Sequence, residues 1–150
     1  MIVRDATFED YNGLLALGAR MIAESKTRFP EIEPDRVRKQ LELTLEHPNL
    51  MLCGVAEHEG LLIGMVTAFA GDYAFSTELR SACDLLFVTQ DRRGLVAAKM
   101  LIDFYKDWSD DLGCRVSTMG ISTGVHPERT GLLFERCGFY PVGPTFRRDV

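Results

Sequence analysis

The sequence predicts one α/β domain built on a mixed sheet. Three observations carry that expectation. Strand-like and helix-like segments alternate along the chain in the order β-α-α-β-β-β-α-β-α-β, with no internal repeat or low-complexity tract. One near-continuous apolar run, Ser81 to Thr89, feeds through a short basic turn into a helix-periodic stretch. The length of 150 residues with 46% hydrophobic side chains suits a single domain with a real core and argues against disorder.

Ile2 to Ala6 reads as a short edge strand. Thr7 followed by Asp10 gives a helix-cap pattern. The helix beyond it has an apolar face of Leu14, Leu17, Met21 and Ile22, with Ala16, Ala19 and Ala23 favouring helix. It ends between Lys26 and Pro30. A second helix starts near Pro34, with Val37, Leu41 and either Thr44 or Leu45 inward, and stops at His47-Pro48-Asn49. Leu50 to Ala56 and Leu61 to Ala70 form a hairpin about Glu57-His58-Glu59-Gly60, which makes His58 a surface residue. Gly64 inside the second strand marks a bulge or a close backbone approach.

Gly71-Asp72 suggests a turn, and Tyr73 and Phe75 either line a pocket or cover the core. The Ser81–Thr89 strand should be central and buried on both faces. Asp84 interrupts it, and a buried carboxylate needs partners or a function. Val96, Met100, Leu101, Phe104, Tyr105 and Trp108 then repeat at helical spacing to about Asp110. A strand running straight into a helix start leaves free backbone N–H groups that attract anions, and Arg92 and Arg93 beside it add to that attraction. Cys114 to Ile121 is the next strand. His126-Pro127-Glu128 opens a short helix with Leu132, Leu133 and Cys137 inward and Gly138 just past its end. Phe139 to Arg147 reads as a last strand or hairpin, broken by Pro141, Gly143 and Pro144.

Composition narrows the functions. A net charge of −5 and a pI near 5.2 argue against general nucleic-acid or acidic-membrane binding, but leave room for a local positive pocket. No stretch approaches the roughly 20 apolar residues of a membrane span, and the N-terminus lacks the apolar run of a signal peptide. Cys53, Cys83, Cys114 and Cys137 are far apart in sequence and read as buried free thiols of a reduced, cytoplasmic protein. No CxxC or HExxH spacing offers a metal site, and no GxxxxGK[ST] occurs.

In this element order, two stretches resemble the GCN5-related N-acetyltransferase superfamily. Arg92-Arg93-Gly94-Leu95-Val96-Ala97 is similar to the family's acyl-CoA signature, Arg/Gln-x-x-Gly-x-Gly/Ala. Arg92 and Ala97 fit. Leu95 replaces the first glycine, and Gly94, one position earlier, supplies some of the missing backbone freedom. Leu133-Phe134-Glu135-Arg136-Cys137-Gly138-Phe139 is similar to the family's last helix and the Gly-Phe after it, where the common form has Leu-Tyr.

The resemblance implies a mostly antiparallel central sheet with helices on both faces and a V-shaped gap between the fourth and fifth strands. It implies acetyl-CoA as cosubstrate. The pantetheine arm would bond to backbone near Phe87, Val88 and Thr89. The pyrophosphate would rest on N–H groups from Arg93 to Ala97, including Gly94, Leu95 and Val96, with Arg92 facing the phosphates. The acceptor would be a small-molecule amine or a peptide or protein amine, and family members often dimerise. The amine must lose a proton, for which Asp84 is the first candidate base and His126 the second. Glu78 and Asp72 could attract a cationic acceptor. Phe134 stands where the family's tyrosine would protonate the leaving thiolate, and a phenyl ring has no proton to give. Tyr140, Tyr105 or a water is the substitute. The competing expectation is a non-catalytic acyl-CoA-binding or protein-interaction module on the same scaffold.

Overall fold

Five strands form one sheet in the order β1-β2-β3-β4-β5. They are β1 (Ile2–Asp5), β2 (Met51–His58), β3 (Leu61–Tyr73), β4 (Ser76–Val88) and β5 (Val116–Thr118). The first three pairings are antiparallel, and β5 runs parallel to β4. The helices are α1 (Tyr11–Glu24), α2 (Pro34–Glu46), α3 (Leu95–Asp111) and α4 (Pro127–Arg136). This computed structural model describes residues 1–93 and 95–150, together with all side chains of those residues except that of Leu95.

The helices divide between the two faces of the sheet, as their apolar periodicity requires. Leu14, Leu17 and Met21 of α1 and Leu41 of α2 bury against Val55, Met65 and Phe87 on one face. Thr44 takes the last inward position of α2, and Leu45 is left exposed. Ala97, Leu101 and Tyr105 of α3 bury against Ala56, Val66, Ala68 and Val88 on the other. Phe134 and Cys137 of α4 pack on Ile102 of α3 and the partly buried Leu86. The α1 entry is fastened electrostatically. Asp10 accepts from the Thr7 amide at 2.8 Å and from Arg4 at 2.7 and 2.9 Å, while Arg4 also reaches Glu57 at 2.7 Å.

Gly64 pairs with Val88 at the inner end of the β3–β4 ladder. A Cβ there would lie 2.8 Å from the Phe87 carbonyl oxygen. Beside it, Ala56 pairs with Gly64 and Glu57 with Leu62, so Ile63 is an extra residue bulged out of the β2–β3 ladder. Both readings of this glycine hold.

The outer part of the sheet differs from expectation. No turn forms at Gly71-Asp72; β3 continues to Tyr73 and pairs with β4 from Ser76, so the reversal falls at Ala74-Phe75. The β4 strand is not buried on both faces: Ala82 and Asp84 are exposed, and the continuous burial is confined to its last residues. β5 has three residues rather than eight, and residues 139–150 form no strand. Pro141 and Pro144 carry no N–H to donate to a ladder, and Val142 and Phe146 lie almost fully in solvent. Val96 and Leu132, expected inward, are also exposed.

Candidate active site

β4 and β5 pair only from Arg80–Val116 to Ala82–Thr118 and then separate. A hydroxyl chain clamps the closed end. Ser81 Oγ lies 2.9 Å from the Tyr105 hydroxyl and 2.7 Å from Ser109 Oγ. Ser109 continues to Ser117 Oγ at 2.7 Å, and Tyr105 donates to the Thr118 carbonyl at 3.1 Å. Each such bond is worth about 1 kcal/mol net. Together they hold α3, β4 and β5 at the apex of a V.

Two residues beyond the last pair, β4 carries a bulge. Thr67 pairs with Leu85 and Ala68 with Cys83, which leaves Asp84 without a partner on β3. The parity of the strand changes there. Ser81 and Cys83 face α3, whereas Leu85 and Phe87 face α1 and α2. Asp84 stands at that change, and its side chain is exposed instead of buried. Desolvation by the surrounding protein pushes its carboxyl above the usual range, with no hydrogen-bonding or charged group contributing.

The open part of the V is a cleft with a cavity volume of about 150 Å³. Leu86, Phe87 and Val88 form one wall, and residues 120–123, Val125 and His126 form the other. Ala98, Leu133 and Phe134 also line it. The end of α1 bridges the walls. Lys26 N–H and Ser25 Oγ donate to the Thr123 carbonyl at 2.8 and 3.2 Å, and Thr27 Oγ1 donates to Ser122 O at 2.6 Å. On the β4 side Arg93 is ion-paired with Glu24 of α1 and donates from Nε to Val88 O at 3.1 Å.

The cleft's charged groups are of one sign. Arg93 and Arg129 line it with His126, and no carboxylate is among the lining residues. His126 caps α4 in a left-handed conformation, φ 44°, a backbone state that costs a residue other than glycine roughly 1 kcal/mol. The first N–H groups of α3 have no partner within the helix. Such a surface suits an anionic ligand with an apolar arm.

The expected residues separate into groups. Phe87, Val88, Arg93, His126 and Phe134 line the cleft. Thr89 is buried, and its amide donates to Ile63 O at 2.9 Å. Arg92 is exposed, and its one ion-pair partner among the described residues is Asp91, at 3.8 Å. Ala97 is buried in the α3 core, while Ala98, not anticipated, faces the cleft. The amide of Arg93 is already taken up by Gln90 O. Gly94 and the side chain of Leu95 lie outside the described residues. Asp84 is not among the residues that line the cleft, whereas His126 is, so the two do not converge on one pocket. Neither Tyr105 nor Tyr140 lines the cleft: the first is fully buried, the second 81% exposed. Burial raises the thiols of Cys53 and Cys83 to about 12, which makes Cys83 a poor nucleophile. All four cysteines are free, Cys83 and Cys114 only half-buried. Among the described residues there is no metal-binding cluster and no helix long and apolar enough to cross a membrane.

Comparison with known proteins agrees with this architecture. Glucosamine-6-phosphate N-acetyltransferase from Arabidopsis thaliana superposes with a TM-score of 0.80 over 99% of this chain and 97% of its own, at 14% identity. AAC(6')-Iy, solved with the bisubstrate analogue CoA-S-monomethyl-acetylneamine, gives 0.78 over 99% and 97%, at 19% identity. Ribosomal-protein-alanine N-acetyltransferase from Brucella melitensis biovar Abortus 2308 gives 0.74 over the whole of both chains, at 17% identity. At these identities the likeness is one of fold. No curated protein sequence matches significantly. The model of the acetyltransferase (GNAT) family matches residues 19–139, four-fifths of the sequence and every element from the second half of α1 through α4, and the chain therefore belongs to that family.

Proposed function

We propose that the protein is an N-acetyltransferase that moves an acetyl group from acetyl-CoA to an amine. The observation that carries this reading is the splay of β4 from β5 beyond Ala82, which opens a largely apolar cleft bearing Arg93 and Arg129 against the start of α3. When bound, acetyl-CoA supplies an activated thioester. In this reading the backbone of Phe87 to Thr89 borders its pantetheine arm. The arginine and small residue of the acyl-CoA signature are carried one position later than the sequence match suggests, by Arg93 and Ala98.

The reaction joins the amine nitrogen to the acetyl carbon and breaks the carbon–sulfur bond. An ammonium acceptor gives one proton to a base before it attacks, and its nitrogen gives up a second on acylation, which balances the proton that the thiolate gains. Asp84 is the proposed proton acceptor. Its raised carboxyl is a better match to an ammonium donor than an ordinary aspartate. His126, on the opposite wall, is the second candidate. Binding both substrates side by side supplies much of the acceleration. The half-buried and buried free thiols fit a reducing, cytoplasmic setting.

Phe134 favours a second reading, a module that binds acyl-CoA without turnover. Calorimetric titration with acetyl-CoA and CoA tests the shared premise; micromolar binding is expected. Acceptor-dependent thiol release then separates the two readings. Binding without any such release across an amine panel would leave the module, and no binding to the folded protein would remove both.

A further inference from the structure

The hydroxyl chain at the closed end of the V has a direction. Tyr105 gives its one proton to the Thr118 carbonyl, so its oxygen must accept from Ser81. Ser81 is thereby committed as a donor and accepts from Ser109, which in turn accepts from Ser117. Every proton points the same way, and the chain ends on one backbone oxygen. Hydrogen bonds polarised in series strengthen one another, so the bond to Thr118 is reinforced by the three behind it.

That oxygen belongs to the last rung. Thr118 pairs with Ala82, the final β4–β5 pair among the described residues. The Tyr105 oxygen lies 2.9 Å from Ser81 Oγ of β4 and 3.1 Å from the Thr118 carbonyl of β5. It therefore stands between the two strands where a further rung would begin. A parallel ladder continues by pairing carbonyls of one strand with amides of the other. Here a side chain of α3 supplies the donor to Thr118. The cleft walls follow directly, Gly120 two residues along β5 and Leu86 four along β4. Stability alone does not account for the arrangement. Tyr105, Ser81 and Ser109 are all buried, and replacing buried hydrogen-bonded partners by apolar groups of the same shape can be nearly neutral. What the chain adds is a single geometry at the apex.

We infer that the Tyr105 hydroxyl is a wedge: it stops β4–β5 pairing at Ala82–Thr118 and so holds the cleft open. Tyr105 does not line the cleft, so it is a positioning residue that acts through the two strands. Its consequence for acetyl-CoA rests on the transferase reading; its effect on the strands does not. The test is amide hydrogen exchange of the free protein at residues 83–86 and 119–122, measured beside the acetyl-CoA Kd. Tyr105→Phe keeps the ring and removes the hydroxyl. Thr118 O then lacks its donor, and the next β4 amide can take that place. Exchange at those residues should slow about tenfold, and the acetyl-CoA Kd should rise about tenfold as the cleft narrows. A tyrosine that merely stabilised the fold would do the reverse, because its loss would quicken exchange. Ser117→Ala, at the far end of the chain, leaves the Tyr105–Thr118 bond in place and should change neither reading by more than about twofold. Faster or unchanged exchange in Tyr105→Phe, failure of that variant to fold, or the same slowing in Ser117→Ala would each overturn the wedge. Slowed exchange in a protein that binds no acetyl-CoA would keep the wedge and remove the transferase. Unchanged exchange in one that binds acetyl-CoA would remove the wedge alone.

Discussion

The guanidinium of Arg93, in the turn between β4 and α3, is held by the carboxylate of Glu24, at the end of α1. Its Nε is at the same time committed to the Val88 carbonyl at 3.1 Å. One side chain thus ties a wall of the cleft to the segment that bridges it. Among the described residues, its neighbour Arg92 pairs only with the exposed Asp91. The two arginines are equivalent in sequence and unequal in structure.

Arg93→Ala should therefore weaken acetyl-CoA binding at least tenfold, because it removes a cation from the cleft and loosens the bridging segment. Arg92→Ala should change it less than about threefold, as expected for a solvated surface charge. Isothermal titration of the three proteins decides between them. Equal effects from both substitutions would contradict this division of labour.

Gly64 offers a purely steric test. A methyl group there would meet Phe87 O at 2.8 Å and the side chains of Leu101 and Val88 at 3.1 Å. Backbone oxygen cannot swing aside, so β3 and β4 must part at the cleft wall. Gly64→Ala should destabilise the protein by about 1–3 kcal/mol, the usual cost of overpacking, read from urea unfolding. It should also weaken cosubstrate binding, because Phe87 and Val88 move with the strand.

Much of this was legible in the chain. Helical periodicity located α1 to α4 because burial on one face leaves a 3.6-residue pattern. The β4–turn–α3 stretch stood out as a strand feeding a basic helix start. The bulge at Asp84 was not legible. A bulge changes which face later residues take without altering the apolar run that marks the strand, and the lone polar residue hinted at burial rather than at an extra residue. The one-residue offset proposed for the signature has a different cause. Arg92-Arg93 and Ala97-Ala98 are both doublets, so either register matches, and only helix phase shows that Ala97 packs inward and Ala98 faces the cleft. The length of β3 was hidden because Gly71 and Asp72 are turn formers that here sit in an exposed ladder.

Acid stability should depend on Asp10. The guanidinium of Arg4 holds its carboxyl below the usual value of 3.8, against the opposing effect of burial, and the Thr7 amide assists. A carboxyl depressed in the folded state stabilises the fold fully above its unfolded value and loses that contribution as pH falls through its folded value. The stabilisation is thus intact above about pH 5 and fades below about pH 4. Asp10→Asn should lower stability at neutral pH by about 1–3 kcal/mol, with a smaller deficit at pH 3. Urea midpoints at pH 7, 5 and 3 measure this, and a constant deficit across the three would rule out the charge as its source.

The last prediction concerns Phe134, buried to 8% exposure where α4 meets the cleft. Its ring packs 6.4 Å from that of Phe139, so the aromatic body serves the α4 core whatever its para substituent. Phe134→Tyr adds one hydroxyl and keeps that packing. A phenol directed into the cleft can donate to the departing thiolate, a role for which neither the fully buried Tyr105 nor the exposed Tyr140 is placed. If the chain is a transferase limited by loss of the thiol, kcat for acceptor-dependent release should rise severalfold, toward the 10²–10⁴ range that general acids supply. The acetyl-CoA Kd should stay within about twofold. An unchanged kcat would mean that expulsion of the thiol does not limit the rate.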